Sequence, residues 1–409
     1  PDMATTMARI KVEAVGNVFF DISDTNFTIT QGVPVPPATY APLSPARVWD
    51  TRFGPGPMGQ SGPGQTRTVQ ITGVGGVPVT GVTAVVLNLA AINPTSQTFV
   101  TVFPAGEAQP LAANLNVPPG DVRPNLVIVK LGAGGQINVF NNAGNVDFAA
   151  DVAGWYGQTG GEKFTSISPA RLWDTRSGPG PTGRIEAGGS RNLTVTGVGG
   201  VPATGVTAVV LNVTAVSPSA RTFITAWPAG EAQPLASNLN VPAGDVRPNL
   251  VIVKVGANGQ VSFFNNAGDV DLLADVAGYF GSTGSSLNSV SPSRIWDTRF
   301  GPGPQGRVEA GGSRSVTVTG IGGVPATGVT AVVLNVAAVR PSAARTFVTA
   351  WPTGETRPLA SNLNVPLNDV RANLVIVKVG AGGQVDFFNN AGDTDLVADV
   401  AGWYGDPGQ

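Results

Sequence analysis

The chain has 409 residues, 42% of them hydrophobic and 12% charged, with a net charge of -2 and neither Cys nor His. The missing Cys and His exclude a Cys/His zinc site and any Ser-His-Asp or Cys-His nucleophile system. A balanced charge gives no footprint for nucleic acid, and the hydrophobic share is too high for disorder.

Residues 1–30 read as a strand segment unlike the rest of the chain. The stretch 8–15 (ARIKVEAV) alternates as an edge strand does. Such a piece is too short to fold alone, so it is expected to pair with a sheet edge of its own chain or of a neighbour. The Pro-rich linker 31–42 favours extended geometry, which tilts the expectation towards a neighbour and so towards strand addition and a filament. Opening at Pro1 without Met, the chain reads as a piece of something longer. It shows no signal peptide, lipidation motif or apolar run of membrane-spanning length.

Self-comparison organises the remainder. RVWDTR at 47–52 returns as RLWDTR at 171–176 and RIWDTR at 294–299, and DVAGWYG at 151–157 returns as DVAGYFG at 275–281 and unchanged at 399–405. The blocks NLNV (114–117), NLVIVK (125–130) and FNNAG (140–144) recur in the same order. Three domains follow, at 43–157, 166–281 and 290–405. One extra Ala in the third copy, at 341–345, marks a surface loop. The joins 158–165 and 282–289 are short and polar, as in a rod of limited bending.

Within the first copy the strands fall at 68–71, 82–90, 99–103, 125–130, 136–140 and 146–155. Residues 82–90 (VTAVVLNLA) are apolar on both faces, the pattern of a central strand covered on both sides. The Gly-rich stretch 132–135 reads as the turn of a hairpin. About eight antiparallel strands per copy, with no amphipathic helix, give an all-β fold of three tandem antiparallel β-sandwich (jelly-roll-like) domains behind an N-terminal strand segment.

The ordered set SPxRxWDTR, GVPxTGVTAVVLN, ASNLNV, NLVIVKVG, VxFFNNAG and DLxADVAGYFG resembles tandem C-terminal repeats of secreted and cell-envelope proteins of actinobacterial type, over residues 43–405. The resemblance implies accessory, extracellular modules. Residues 4–30 resemble the end of an immunoglobulin-like domain of secreted metallopeptidases, which implies that most of that domain lies outside this chain.

The candidate sites are few. GPGPMG at 54–59 fits a dinucleotide fingerprint in letters only, because no helix start follows to hold a pyrophosphate; it reads as a turn. Asp151, Asp275 and Asp399 sit in apolar strands and need partners. The expected partners are Arg52, Arg176 and Arg299, as structural ion pairs joining first strand to last. The competing reading is a calcium site at Asp50 or Asp147. A paired-carboxylate glycosidase is disfavoured. Trp227 and Trp351 could stack on sugars, with Asn114, Asn116, Asn238, Asn240, Asn362 and Asn364 bonding hydroxyls; the competing reading is core Trp and turn-capping Asn. Of the glycosylation sequons at Asn26, Asn192 and Asn212, the last lies in a buried-looking strand.

The expected function is non-enzymatic: an extracellular or cell-surface structural or adhesive protein, a stalk or filament subunit that self-associates. The alternative is a multivalent carbohydrate- or cell-wall-binding module of a larger secreted hydrolase. No cofactor, metal, nucleic acid or membrane insertion is expected.

Overall fold

The computed structural model describes residues 38–158 and 161–406, together with the backbone of Thr5–Ala8, Lys11–Glu13, Phe20–Ile22 and Phe27–Ile29. The chain forms two compact units, Pro1–Pro36 and Pro37–Gln409. In the first, β1 (Thr5–Ala8) pairs antiparallel with β4 (Phe27–Ile29), and β2 (Lys11–Glu13) with β3 (Phe20–Ile22). The strand expected within 8–15 is thus represented by β2, paired inside its own segment. The linker stretch 31–37 and the sequon at Asn26 lie outside the described residues.

The second unit is all-β. The first repeat contributes β5 (Thr39–Asp50), β6 (Gln65–Gln70), β7 (Val82–Ile92), β8 (Thr98–Pro104), β9 (Leu115–Val117), β10 (Val122–Lys130), β11 (Gln136–Asn141) and β12 (Asp147–Gly157). The second contributes β13 (Lys163–Asp174), β14 (Ser190–Thr194), β15 (Val206–Val216), β16 (Thr222–Pro228), β17 (Leu239–Val241), β18 (Val246–Lys254), β19 (Gln260–Asn265) and β20 (Asp271–Gly281). The third contributes β21 (Leu287–Asp297), β22 (Ser313–Thr317), β23 (Val329–Val339), β24 (Arg345–Pro352), β25 (Leu363–Pro366), β26 (Val370–Lys378), β27 (Gln384–Asn389) and β28 (Asp395–Gly405).

Each repeat folds into two four-stranded antiparallel sheets, ordered β10-β7-β12-β5 and β6-β11-β8-β9 in the first. Between the two sheets lies a core of Val48, Trp49, Val69, Leu87, Val102, Val139 and Phe148. The Gly-rich stretch 132–135 does not close a hairpin. It is a single 3-10 turn whose flanking strands, β10 and β11, belong to different sheets. A β-carbon at Gly132 would sit 2.0 Å from the Ala105 carbonyl oxygen, so the chain crosses between sheets by pressing its backbone on the β8 end. The GPGP loops are turns packed over the core. Gly56, at φ +83°, lies against the Trp49 ring, whose indole N–H donates to the Pro57 carbonyl.

The domain boundaries move outward. β5, β13 and β21 begin at Thr39, Lys163 and Leu287, not at 43, 166 and 290, because Tyr40 pairs with Tyr156, Phe164 with Phe280 and Leu287 with Tyr404. These residues also bond between repeats. Tyr40 exchanges backbone hydrogen bonds with Glu162, Phe164 with Ser285, and Ala38 with Leu287. The last of these joins the third repeat to the first and closes a ring.

The ring has a core of its own. Val86, Leu126 and Ile128 meet Val210, Leu250, Ile252, Val333, Leu374 and Ile376, with Tyr40, Tyr156, Phe164, Phe280 and Tyr404 buried among them. Alternation along β7 explains this. Val85, Leu87, Leu89 and Ala91 face the repeat's own core, while Ala84 and Val86 face the shared one. Burying a Leu, Ile or Val side chain contributes about 1.5–3 kcal/mol, so sheets apolar on both faces gain by closing on one another. The repeats are therefore not separate sandwich domains strung in a rod; six small sheets are grouped around one centre.

Candidate functional site

The polar contacts that line the centre between repeats occur three times, in cyclic order. Arg123 donates from Nη2 to Asp369 at 2.7 Å, Arg247 to Asp121 at 2.7 Å and Arg371 to Asp245 at 2.7 Å. Each Arg also donates from Nε to the Asp two residues before it. Six charges thus alternate around the centre in a closed ring. Burial works to raise the carboxyls of Asp121, Asp245 and Asp369, but the paired guanidiniums outweigh it and hold all three below the ordinary Asp value. The ring surrounds a cavity of about 40 Å³ lined by all three repeats, Leu115, Asn116 and Arg123 having their counterparts in the other two. That is space for a few waters at most.

An asparagine layer also crosses the seams. Asn125 donates to Asn335 at 3.0 Å, Asn249 to Asn88 at 2.9 Å and Asn373 to Asn212 at 3.2 Å. Asn88, Asn212 and Asn335 donate in turn to the carbonyls of Ser237, Ser361 and Ala113. All six are buried, and these bonds offset the cost of placing amides between apolar strands. Asn212 is consumed here and is no glycosylation site, whereas Asn192 is exposed.

The buried Asp residues of the closing strands do have Arg partners, but not the expected ones. Asp151 is bound by Arg47, Asp275 by Arg171 and Asp399 by Arg294. Arg52, Arg176 and Arg299 instead bind Asp50, Asp174 and Asp297 through Nε and Nη2. Register decides it: Arg47 lies opposite Asp151 in the β5–β12 ladder, while Arg52 lies past the end of β5. Burial raises Asp151, Asp275 and Asp399 above the ordinary Asp value despite these partners. At Asp50 and Asp297 burial pushes the same way but the two arginines win; at Asp174 the Arg176 hydrogen bond leads, and all three are lowered.

Of the two residues in the calcium reading, Asp50 is engaged by Arg47 and Arg52, and Asp147 accepts from Thr51 and Gln60. The sugar-stacking pair is also corrected. Trp227 and Trp351 are only 7% and 6% exposed, and each donates its indole N–H to a nearby Glu carbonyl. Asn114, Asn238 and Asn362 are buried and accept from the backbone N–H groups of Val102, Ala226 and Ala350. Asn116, Asn240 and Asn364 are different: they line the axial cavity, and Asn116 and Asn364 also border grooves at the seams.

Those grooves are concave features that the seams create. One, of about 440 Å³, runs between the third and first repeats beside Arg294, Arg299, Phe300, Asp395 and Asp399. Another, of about 340 Å³, runs between the second and third beside Arg171, Arg176, Arg357 and Leu359. Leu111, Leu235 and Leu359 occupy equivalent seam positions and are 80%, 84% and 92% exposed, while their carbonyls accept from Arg294, Arg47 and Arg171. Sequence reading missed these surfaces because each is built from two repeats at once.

No family model matches the sequence, and no curated protein matches it. Among solved structures, a chain from a study of the triple jelly roll fold and turret assembly in an archaeal virus aligns at 9% identity with a TM-score of 0.18, covering 90% of this chain and 91% of that one. A Sulfolobus Turreted Icosahedral Virus chain aligns with the same figures. A likeness at that level supports no inference.

Proposed function

We propose that the chain is a non-enzymatic extracellular adhesive protein whose working part is one head made of three fused jelly rolls. The eight strands of each repeat follow the jelly-roll order, two sheets with the first strand beside the last. The observation that carries the functional reading is the use of polar groups. Inside the seams, Arg, Asp and Asn side chains bond one another, while each seam leaves a fully exposed Leu beside its arginines. Two seams add an exposed Phe, at Phe53 and Phe300. Apolar groups retained at equivalent exposed positions suit contact with a partner surface.

The grooves favour a carbohydrate- or cell-wall-binding role over a purely structural one, since they offer arginine donors beside apolar surface. Because β1–β4 pair among themselves, strand addition to a neighbour is not needed to satisfy them, and the head is read as acting singly. Light scattering and a glycan array on the full chain test this. Monomers that bind a glycan or cell-wall polymer without turning it over are expected. Hydrolysis of the bound polymer by purified chain would overturn the reading.

A further inference from the structure

We infer that the groove between the second and third repeats binds an acidic saccharide through its carboxylate, with Arg357 and Arg176 as the receiving groups. This rests on the reading of the chain as a carbohydrate-binding head. Among the residues that set this groove apart from its relatives within the same molecule, one adds a charge. Arg357 stands where the first two repeats have Gln109 and Gln233.

Arg357 is exposed and, among the described residues, makes no hydrogen bond or ion pair. Its guanidinium lies 3.6 Å from the centroid of the Phe388 ring. Stacking on an aromatic ring fixes the plane of the fork and leaves its N–H groups for a ligand. Arg176 is prepared in another way. Nε and Nη2 are spent on the buried Asp174, which leaves the Nη1 edge without a partner among the described residues. Arg171 completes the arrangement by binding Asp275 and the Leu359 carbonyl, so that it ties the third repeat's loop to the second repeat.

The charge balance points to an anion. Asp174 and Asp275 are already matched by Arg176 and Arg171, and the lining contains no carboxylate. Arg357 is then a surplus cation. A guanidinium fork pairs best with a planar carboxylate. Beside the arginines, Phe347 and Leu359 offer apolar surface to the carbon face of a sugar ring, and Asn364 borders the same groove as a partner for hydroxyls. At about 340 Å³ the site suits one or two sugar units.

Titration calorimetry on the full chain tests this with trigalacturonate, neutral maltotriose and hexaglutamate. Trigalacturonate is expected to bind at one site, more weakly as salt is raised, and maltotriose at least tenfold more weakly. R357Q should weaken trigalacturonate about tenfold or more, the loss of a charge-assisted bond, with an unchanged melting temperature. Q233R, which gives the first–second seam the same cation, should add a second site. If maltotriose binds as well and R357Q changes nothing, the acidic inference fails while the carbohydrate-binding reading stands. If hexaglutamate binds as tightly and depends equally on Arg357, the ligand is an acidic peptide and the saccharide is wrong. If trigalacturonate does not bind while other glycans on the array do, only this inference falls; if nothing binds on either, both fall.

Discussion

Arg171 on β13 grips both carboxylate oxygens of Asp275 on β20, and the same bond joins Arg47 to Asp151 and Arg294 to Asp399. The neighbouring Arg176 is half exposed and serves Asp174, which Arg171 also reaches. R171A should therefore strand a buried carboxylate and cost about 3–5 kcal/mol. R176A leaves Asp174 with one partner and should cost about 1 kcal/mol. Urea unfolding of the two variants checks this; equal losses would contradict the assignment.

Acid should loosen the head. Asp121, Asp245, Asp369, Asp50, Asp174 and Asp297 are all held below the ordinary value of 3.8. A carboxyl lowered by folding stabilises above its unfolded value, and that contribution disappears as pH falls through the folded one. Asp151, Asp275 and Asp399 are raised and act in the opposite sense, but they are outnumbered. Without His, no side chain ordinarily titrates between about pH 5 and 8. Melting temperature should be level across that range and fall below about pH 4. A drop centred near pH 6.5 would be inconsistent with it.

The three repeats should unfold together, because Ile252 packs in a core that all three share. Calorimetry should show one main transition for residues 38–406. Ile252→Ala should shift that whole transition, by about 2–5 kcal/mol of stability. Three separable transitions, with only one moved by the substitution, would restore the picture of independent domains.

An excised second repeat, residues 161–281, would expose Val210, Leu250, Ile252 and Phe280 on one side. Its two seam surfaces match each other, since each repeat meets the next in the same way. Such a surface closes at three copies. Light scattering should show a concentration-dependent trimer, and Ile252→Asp should abolish it. A well-folded monomer of the unaltered fragment at high concentration would refute the argument.

Much of one repeat was legible from its letters. Val82–Ile92 reads as a strand because of its Val-rich run, and its apolar character on both faces announces a covering layer. What the letters hide is that the cover is two further copies of the same sheet. One clue was present: Asn88, Asn212 and Asn335 interrupt these runs at the same place. A buried amide needs partners that a lone sandwich does not supply. The ion pairs were misassigned by five residues because the end of β5, and so the register with β12, cannot be read from composition. The supposed hairpin at Gly132–Gly135 failed because a glycine turn looks alike whether it joins neighbours or crosses between sheets.

The backbone bonds between Ala38 and Leu287 join two repeats that no short linker connects. Three separate chains meeting in this way would fall apart on dilution. Here the tethers between Gly157 and Glu162 and between Gly281 and Leu287 keep the local concentration of each repeat in the millimolar range, whatever the surroundings. Release into a large volume therefore leaves the assembly intact, whereas a single cut in either tether would expose the repeat it frees to loss by dilution.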